Sequence, residues 1–181
     1  MLEPAGAAAR ALARRRSIAV NLALVGGFAL ALAGARVLAR QIHGLPGHSA
    51  VFWLPVLIAA RGRLGWRGSA LAVGAGGSLL MTPAGGVARE VAGIAVACAA
   101  IESVAVALGG WRRLVVLVGC GVVANLAKLV VRVTPALALG LPANVARHSP
   151  VTVIALHVSF GAVGGVIGWL ALRRDRSEAT R

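Results

Sequence analysis

Long apolar runs closed at their ends by arginine constrain this chain more than any other feature. The run from Ser17 to Leu38 follows the cluster Arg14-Arg15-Arg16, and Val87–Gly110, Leu114–Val131 and Val151–Leu172 repeat the pattern. Each is long enough, at 1.5 Å per helical residue, to cross the hydrocarbon core of a bilayer. Two shorter apolar segments, Ser49–Ala60 and Gly68–Met81, carry Pro55 in one and Gly74, Gly76 and Gly77 in the other. They fit either a re-entrant pair or two short spans buried against neighbours. With 59% hydrophobic and 13% charged residues, the 181-residue chain leaves no length for a separate soluble domain.

The arginines also give an orientation. Six spans with a cytoplasmic amino terminus place Arg10 and Arg14–Arg16, then Arg61, Arg63 and Arg67, then Arg112 and Arg113, then Arg173, Arg174, Arg176 and Arg181 inside. Only Arg36, Arg40, Arg89 and Arg147 fall outside, as the positive-inside rule requires. A single re-entrant element leaves the same signs, so charge alone does not separate the two forms. The expectation is an all-α integral membrane protein: a six-helix bundle in one domain with both termini cytoplasmic. Residues 1–16 and 173–181 form basic tails, and residues 17–172 hold the helices. The first run exceeds a typical signal-peptide core, and it is read as a retained span. A net charge of +14 gathered at segment ends is a topology signal, so no nucleic-acid partner is expected.

Catalytic patterns are missing. With Asp and Glu totalling 5 residues and no Gly-x-Ser-x-Gly, His-Glu-x-x-His or Walker loop, the chain is not read as an enzyme. Cys98 and Cys120 lie in apolar runs without metal-ligand spacing and read as small packing residues. The histidines, His43, His48, His148 and His157, include no i, i+4 pair, and neither a metal nor a cofactor is assigned.

Charged groups inside spans are costly and therefore functional candidates. Asn125, Lys128 and Arg132 share a face of the fifth helix, with Lys128 roughly 24 Å from its inner end. His157 falls at a similar depth in the sixth, and Phe52 and Trp53 open the second. These six form a candidate outward-facing substrate site: cations for an anionic group, aromatics for a flat ring, an amide for orientation. Each has a plainer reading. Arg132 can snorkel, His157 can be a packing residue, Phe52 and Trp53 can belong to an interfacial belt, and Glu102 can pair with Lys128. The first helix has a second feature. Ala19, Ala23, Gly27, Ala31 and Ala35 recur every fourth residue, a face that permits close helix approach either to a partner or within the bundle.

The small-residue face resembles the first helix of the substrate-binding (S) components of energy-coupling-factor transporters, the vitamin and micronutrient importers of prokaryotes. So does the succession of Leu54-Pro55-Val56-Leu57-Ile58-Ala59-Ala60, an Arg61-Gly62 turn and the small-residue helix from Gly68 to Gly74. Asn125, followed by Pro135, is similar in kind to the fifth-helix pattern of several members. The resemblance implies a subunit that captures a small ligand outside the cell membrane. It implies docking through the Ala19–Ala35 face on a transmembrane T component served by two ATP-binding subunits. It also implies a lid over residues Arg40–His48, with Gly44 and Gly47 permitting movement. A membrane sensor module is the competing reading, since Phe52-Trp53-Leu54-Pro55 before a Gly-Arg turn loosely resembles bacterial sensory domains. Such modules normally precede a soluble output domain, for which this chain has no length. A stand-alone transporter or assembly factor is the other alternative.

Overall fold

The computed structural model describes residues 4–42, 45–82, 88–108, 113–138 and 149–178, without the side chains of 4–16, 89, 135–138 and 174–178. His43, Gly44, Arg112, Arg147, His148 and Arg181 lie outside the described residues. The same holds for the side chains of Arg10, Arg14–Arg16, Arg89, Pro135, Arg174 and Arg176.

Six helices account for these residues: α1 (Pro4–Gln41), α2 (Ala50–Leu64), α3 (Ser69–Met81), α4 (Ala88–Leu108), α5 (Leu114–Ala138) and α6 (Pro150–Glu178). Four of them are long and apolar enough to cross a membrane, over Ser17–Gln41, Glu90–Leu108, Leu114–Thr134 and Pro150–Arg173. This is a helical membrane protein. α2 and α3 are shorter, about 22 and 20 Å at the helical rise against a hydrocarbon core of about 30 Å.

Two helices run past their apolar segments. α1 begins at Pro4 rather than near Ser17. The residues read as a tail are rich in Ala, Leu and Arg, all strong helix formers, and proline is favoured in a first turn. α6 likewise continues into its basic end, to Glu178. An apolar run marks where a membrane would end, and the helix need not stop there.

The helices form a ring. α1 packs on α3, α3 on α4, α4 on α5, α5 on α6 and α6 on α2, which returns to α1 and also touches α3. One end of the bundle, called here the upper end, gathers the close of α1 with the starts of α2, α4 and α6. At the lower end, Gly65 (φ 73°) and Gly68 (φ 86°) take left-handed backbone conformations and fold α3 back beside α2.

Glycine sets the closest approaches. A Cβ on Gly165 would lie 2.5 Å from Leu117 O, and one on Gly161 would lie 2.7 Å from Gly121 O, so α5 and α6 meet backbone to backbone. Gly164 and Gly168 open the adjoining side of α6 to Leu54 and Ile58 of α2. In lipid, where burial supplies no hydrophobic drive between helices, such van der Waals contact is a principal source of association. α3 uses Gly76 and Gly77 against Ala29 and Leu32 of α1, and Gly74 against Ile94 and Cys98 of α4.

Glu102 ties the lower end together. Its Oε1 accepts the backbone N–H of Ala70, in the first turn of α3, at 2.9 Å, and its Oε2 lies 2.9 Å from Arg61 Nε. The carboxylate therefore joins α2, α3 and α4 and meets the positive end of a helix dipole. The alternative in which Glu102 pairs with Lys128 is therefore not the one the fold adopts. Lys128 packs against Gly93, about 13 Å up α4 from Glu102 at the helical rise.

Candidate functional site

The upper end holds a polar layer. Arg36, assigned to the outside by the charge pattern, lies within α1, one turn before Arg40 and on the inner face with Leu32 and Ala39. Glu90, in the first turn of α4, receives both guanidinium groups on one oxygen. Arg36 Nη2 stands at 2.5 Å and Arg40 Nη2 at 2.9 Å from Oε2. Arg36 is buried, whereas Arg40 and Glu90 reach the edge of the bundle. The i, i+4 spacing puts both arginines over the same carboxylate.

One step further down, Lys128 of α5 passes over Gly93, where a Cβ would stand 3.1 Å from its Cγ and press on the lysine stem. The ammonium comes to rest over the ring of Trp53, 4.8 Å from the centroid. A cation on an indole face is a favourable contact, worth about 2 kcal/mol or more when desolvated. It also covers that face of the ring, so a flat ligand cannot stack there. Among the described residues no carboxylate lies within ion-pair distance of Lys128. Arg36, Glu90 and Arg132 all lie within electrostatic range of it.

The other predicted residues divide between packing and surface. Asn125 is buried, and its Nδ2 donates to the carbonyl of His157 at 2.9 Å, linking α5 to α6. His157 is also buried; its Nδ1 donates to Val153 O at 2.9 Å within α6. Its ring lies against Gly47, where a Cβ would come within 3.0 Å. Arg132 is exposed and Phe52 half-buried. The structure therefore brings Trp53 and Lys128 together with Arg36 and Glu90, and uses the amide of Asn125 between helices.

The segment between α1 and α2 dips into this end. Gly47 (φ 83°) turns the chain against His157, and His48 Nδ1 donates to Leu45 O at 2.6 Å. Of the expected lid, Arg40 and Gln41 belong to α1, Gly47 is seated in the bundle, and Gly44 lies outside the described residues. The other irregular connection, with Gly140, Pro142, Asn144 and His148, also falls outside them.

The small-residue face of α1 is turned outward. Ala19, Ala23, Gly27 and Ala31 are exposed, Ala35 is half-buried, and a Cβ on Gly27 would meet nothing within 4 Å. The bundle is touched by the opposite side of the helix, through Ala29, Leu32, Arg36 and Ala39.

Arg36 was missed as a site residue because a cation near a predicted span end counts as topology. Its position inside the Ser17–Leu38 run, four residues before Arg40, was the signal. No family model, curated protein or solved structure matches this chain.

Proposed function

We propose that this chain is the substrate-capture subunit of a prokaryotic micronutrient or vitamin importer in the cell's inner membrane. It hands ligand on through a transmembrane T component and ATP-binding subunits and hydrolyses nothing itself. In this reading all six helices cross the membrane, α2 and α3 as short spans held by their neighbours, with both termini cytoplasmic. The upper end then faces outward.

The outward-turned face from Ala19 to Ala31 carries the reading. A bilayer makes no demand for small side chains on a lipid-facing surface, whereas a helix that packs closely against another does. Internal packing does not use these residues, since Gly27 has open space where a side chain would stand. A partner helix is the occupant that explains them.

Coexpression with a T component and its two ATP-binding subunits, followed by co-purification, tests this. Wild type is expected to hold the complex. Ala23→Leu and Gly27→Leu are expected to lose it while the isolated subunit keeps its helical content and unfolding midpoint. Association unchanged by both variants, or unfolding of either one alone, overturns the docking role.

A further inference from the structure

The upper end has more positive charge than its described residues neutralise. Arg36, Lys128 and Arg132 gather there, and Glu90 is the one carboxylate among the described residues at that end. Glu90 is already shared by two arginines through a single oxygen. Two donors at this end are unmatched. Arg36, with a side chain 6% exposed, has its Nη1 buried without a hydrogen-bond partner among the described residues. Trp53, fully buried, has its Nε1 in the same condition. Lys128 lies directly over that indole. Buried donors without acceptors are unfavourable, as is a half-buried ammonium with no carboxylate beside it, and an anion relieves both at once.

We propose that Arg36 Nη1, Lys128 Nζ and Trp53 Nε1 hold one oxyanion, a carboxylate or phosphate, supplied by a small ligand or by a lipid headgroup. The donor types suit that group. The guanidinium keeps one arm on Glu90 and offers the other, the ammonium offers three N–H bonds, and the indole offers one. Because Lys128 covers the Trp53 ring face, the indole takes part through its N–H edge rather than by stacking. The site deepens the importer reading and rests on it only for the claim that the bound anion is cargo.

The test uses the full chain, delipidated in a neutral detergent, with nitrogen-15 in its four tryptophan indoles. Trp53→Phe assigns the relevant resonance. Sodium butyrate and inorganic phosphate are titrated separately against sodium chloride at matched ionic strength. At least one probe is expected to give a saturable shift of the Trp53 indole signal and a raised unfolding midpoint. Lys128→Met and Arg36→Gln should weaken that binding tenfold or more, and Arg132→Ala less, because Arg132 is exposed. If Arg36→Gln does not fold, Arg36→Lys and Lys128→Met carry the comparison.

No saturable shift beyond chloride with either probe overturns the site. So does undiminished affinity in the folded variants. Mass spectrometry before delipidation separates the sources. A phospholipid that copurifies with wild type and is lost from Lys128→Met assigns the anion to a headgroup, which supports the site and removes cargo from it. Anion binding in a chain that never associates with a T component leaves the site standing and ends the importer reading.

Discussion

Gly165→Ala and Gly27→Ala form a matched pair, because the same chemical change falls on two faces the structure treats oppositely. Both replace a helical glycine, so both gain about 1 kcal/mol of helix propensity. At Gly165 the new Cβ stands 2.5 Å from Leu117 O and 2.7 Å from Val118 Cα, where ordinary contact begins at 3.4 Å. The opposing atoms are backbone and cannot swing aside. α5 and α6 must separate by several tenths of an ångström, which weakens every contact along their seam. Overpacking of this kind costs about 1–3 kcal/mol. At Gly27 nothing lies within 4 Å, and the steric cost is nil. Propensity cancels between the two variants, so Gly165→Ala is expected to be less stable than Gly27→Ala by about 1–3 kcal/mol. Reversible unfolding in mixed micelles, followed by circular dichroism, measures the difference. A gap below about 0.5 kcal/mol, the usual scatter of surface substitutions, refutes the assignment of α6 as the internal close-packing helix.

Glu102→Gln keeps an acceptor for the Ala70 N–H but removes the charge opposite Arg61, and both side chains are only 11% exposed. A loss of about 3 kcal/mol is expected in the same unfolding assay, the lower end for breaking a buried pair, with partial recovery in the double variant Glu102→Gln/Arg61→Met. A neutral Glu102→Gln removes the carboxylate as a tie between α2, α3 and α4. Reporter fusions at Arg63, Arg113 and the carboxyl terminus are expected to read cytoplasm, and those at His43, Arg89 and His148 the outside. A cytoplasmic signal at His148 overturns the six-span orientation.

The sequence carries the helices more clearly than their ends. Ser49–Ala60 became Ala50–Leu64 and Gly68–Met81 became Ser69–Met81, because Gly65 and Gly68 stop the chain at a turn that local backbone chemistry can mark. At α1 and α6 the apolar boundary and the helix boundary differ by many residues, since arginine and alanine continue a helix as readily as leucine does. The glycine seam of α6 was visible as Gly161-x-x-x-Gly165 interleaved with Gly164-x-x-x-Gly168. Spacing alone does not say which neighbour a small face meets, and the alanine-rich face of α1 has the same four-residue period over a longer run.

Site residues show the same division. Lys128 is legible because a lysine deep in an apolar run has few harmless explanations. Its partners are not legible, since Gly93, Trp53 and Arg36 come from three other helices and no local pattern joins them. Depth along the helices alone allows Glu102 to pair with Lys128. The α2–α3 turn brings Arg61 and a helix start to it, and a carboxylate pairs with what the fold places nearest.

This division of the acidic groups bears on function. Of the two described buried or half-buried carboxylates, Glu102 is committed at the lower end and Glu90 is shared by two arginines at the upper end. The lower site balances its charge, with Arg61 and the start of α3 around the Glu102 carboxylate, although Ser69 Oγ beside it has no hydrogen-bond partner among the described residues. The upper layer has cations to spare, and its unmatched donors belong to the side chains that pack around Lys128 and Glu90. For stability alone the cation–indole contact of Lys128 is set against the cost of desolvating its charge, and leucine or methionine fills the space over Trp53 without that cost. Retaining the lysine has a physical reason when something negative arrives from outside the chain. Lys128→Met is therefore expected to leave the ligand-free fold as stable as wild type or more so, while weakening anion binding. A clear loss of ligand-free stability in that variant would instead make the cation–aromatic contact structural and take the lysine out of the site.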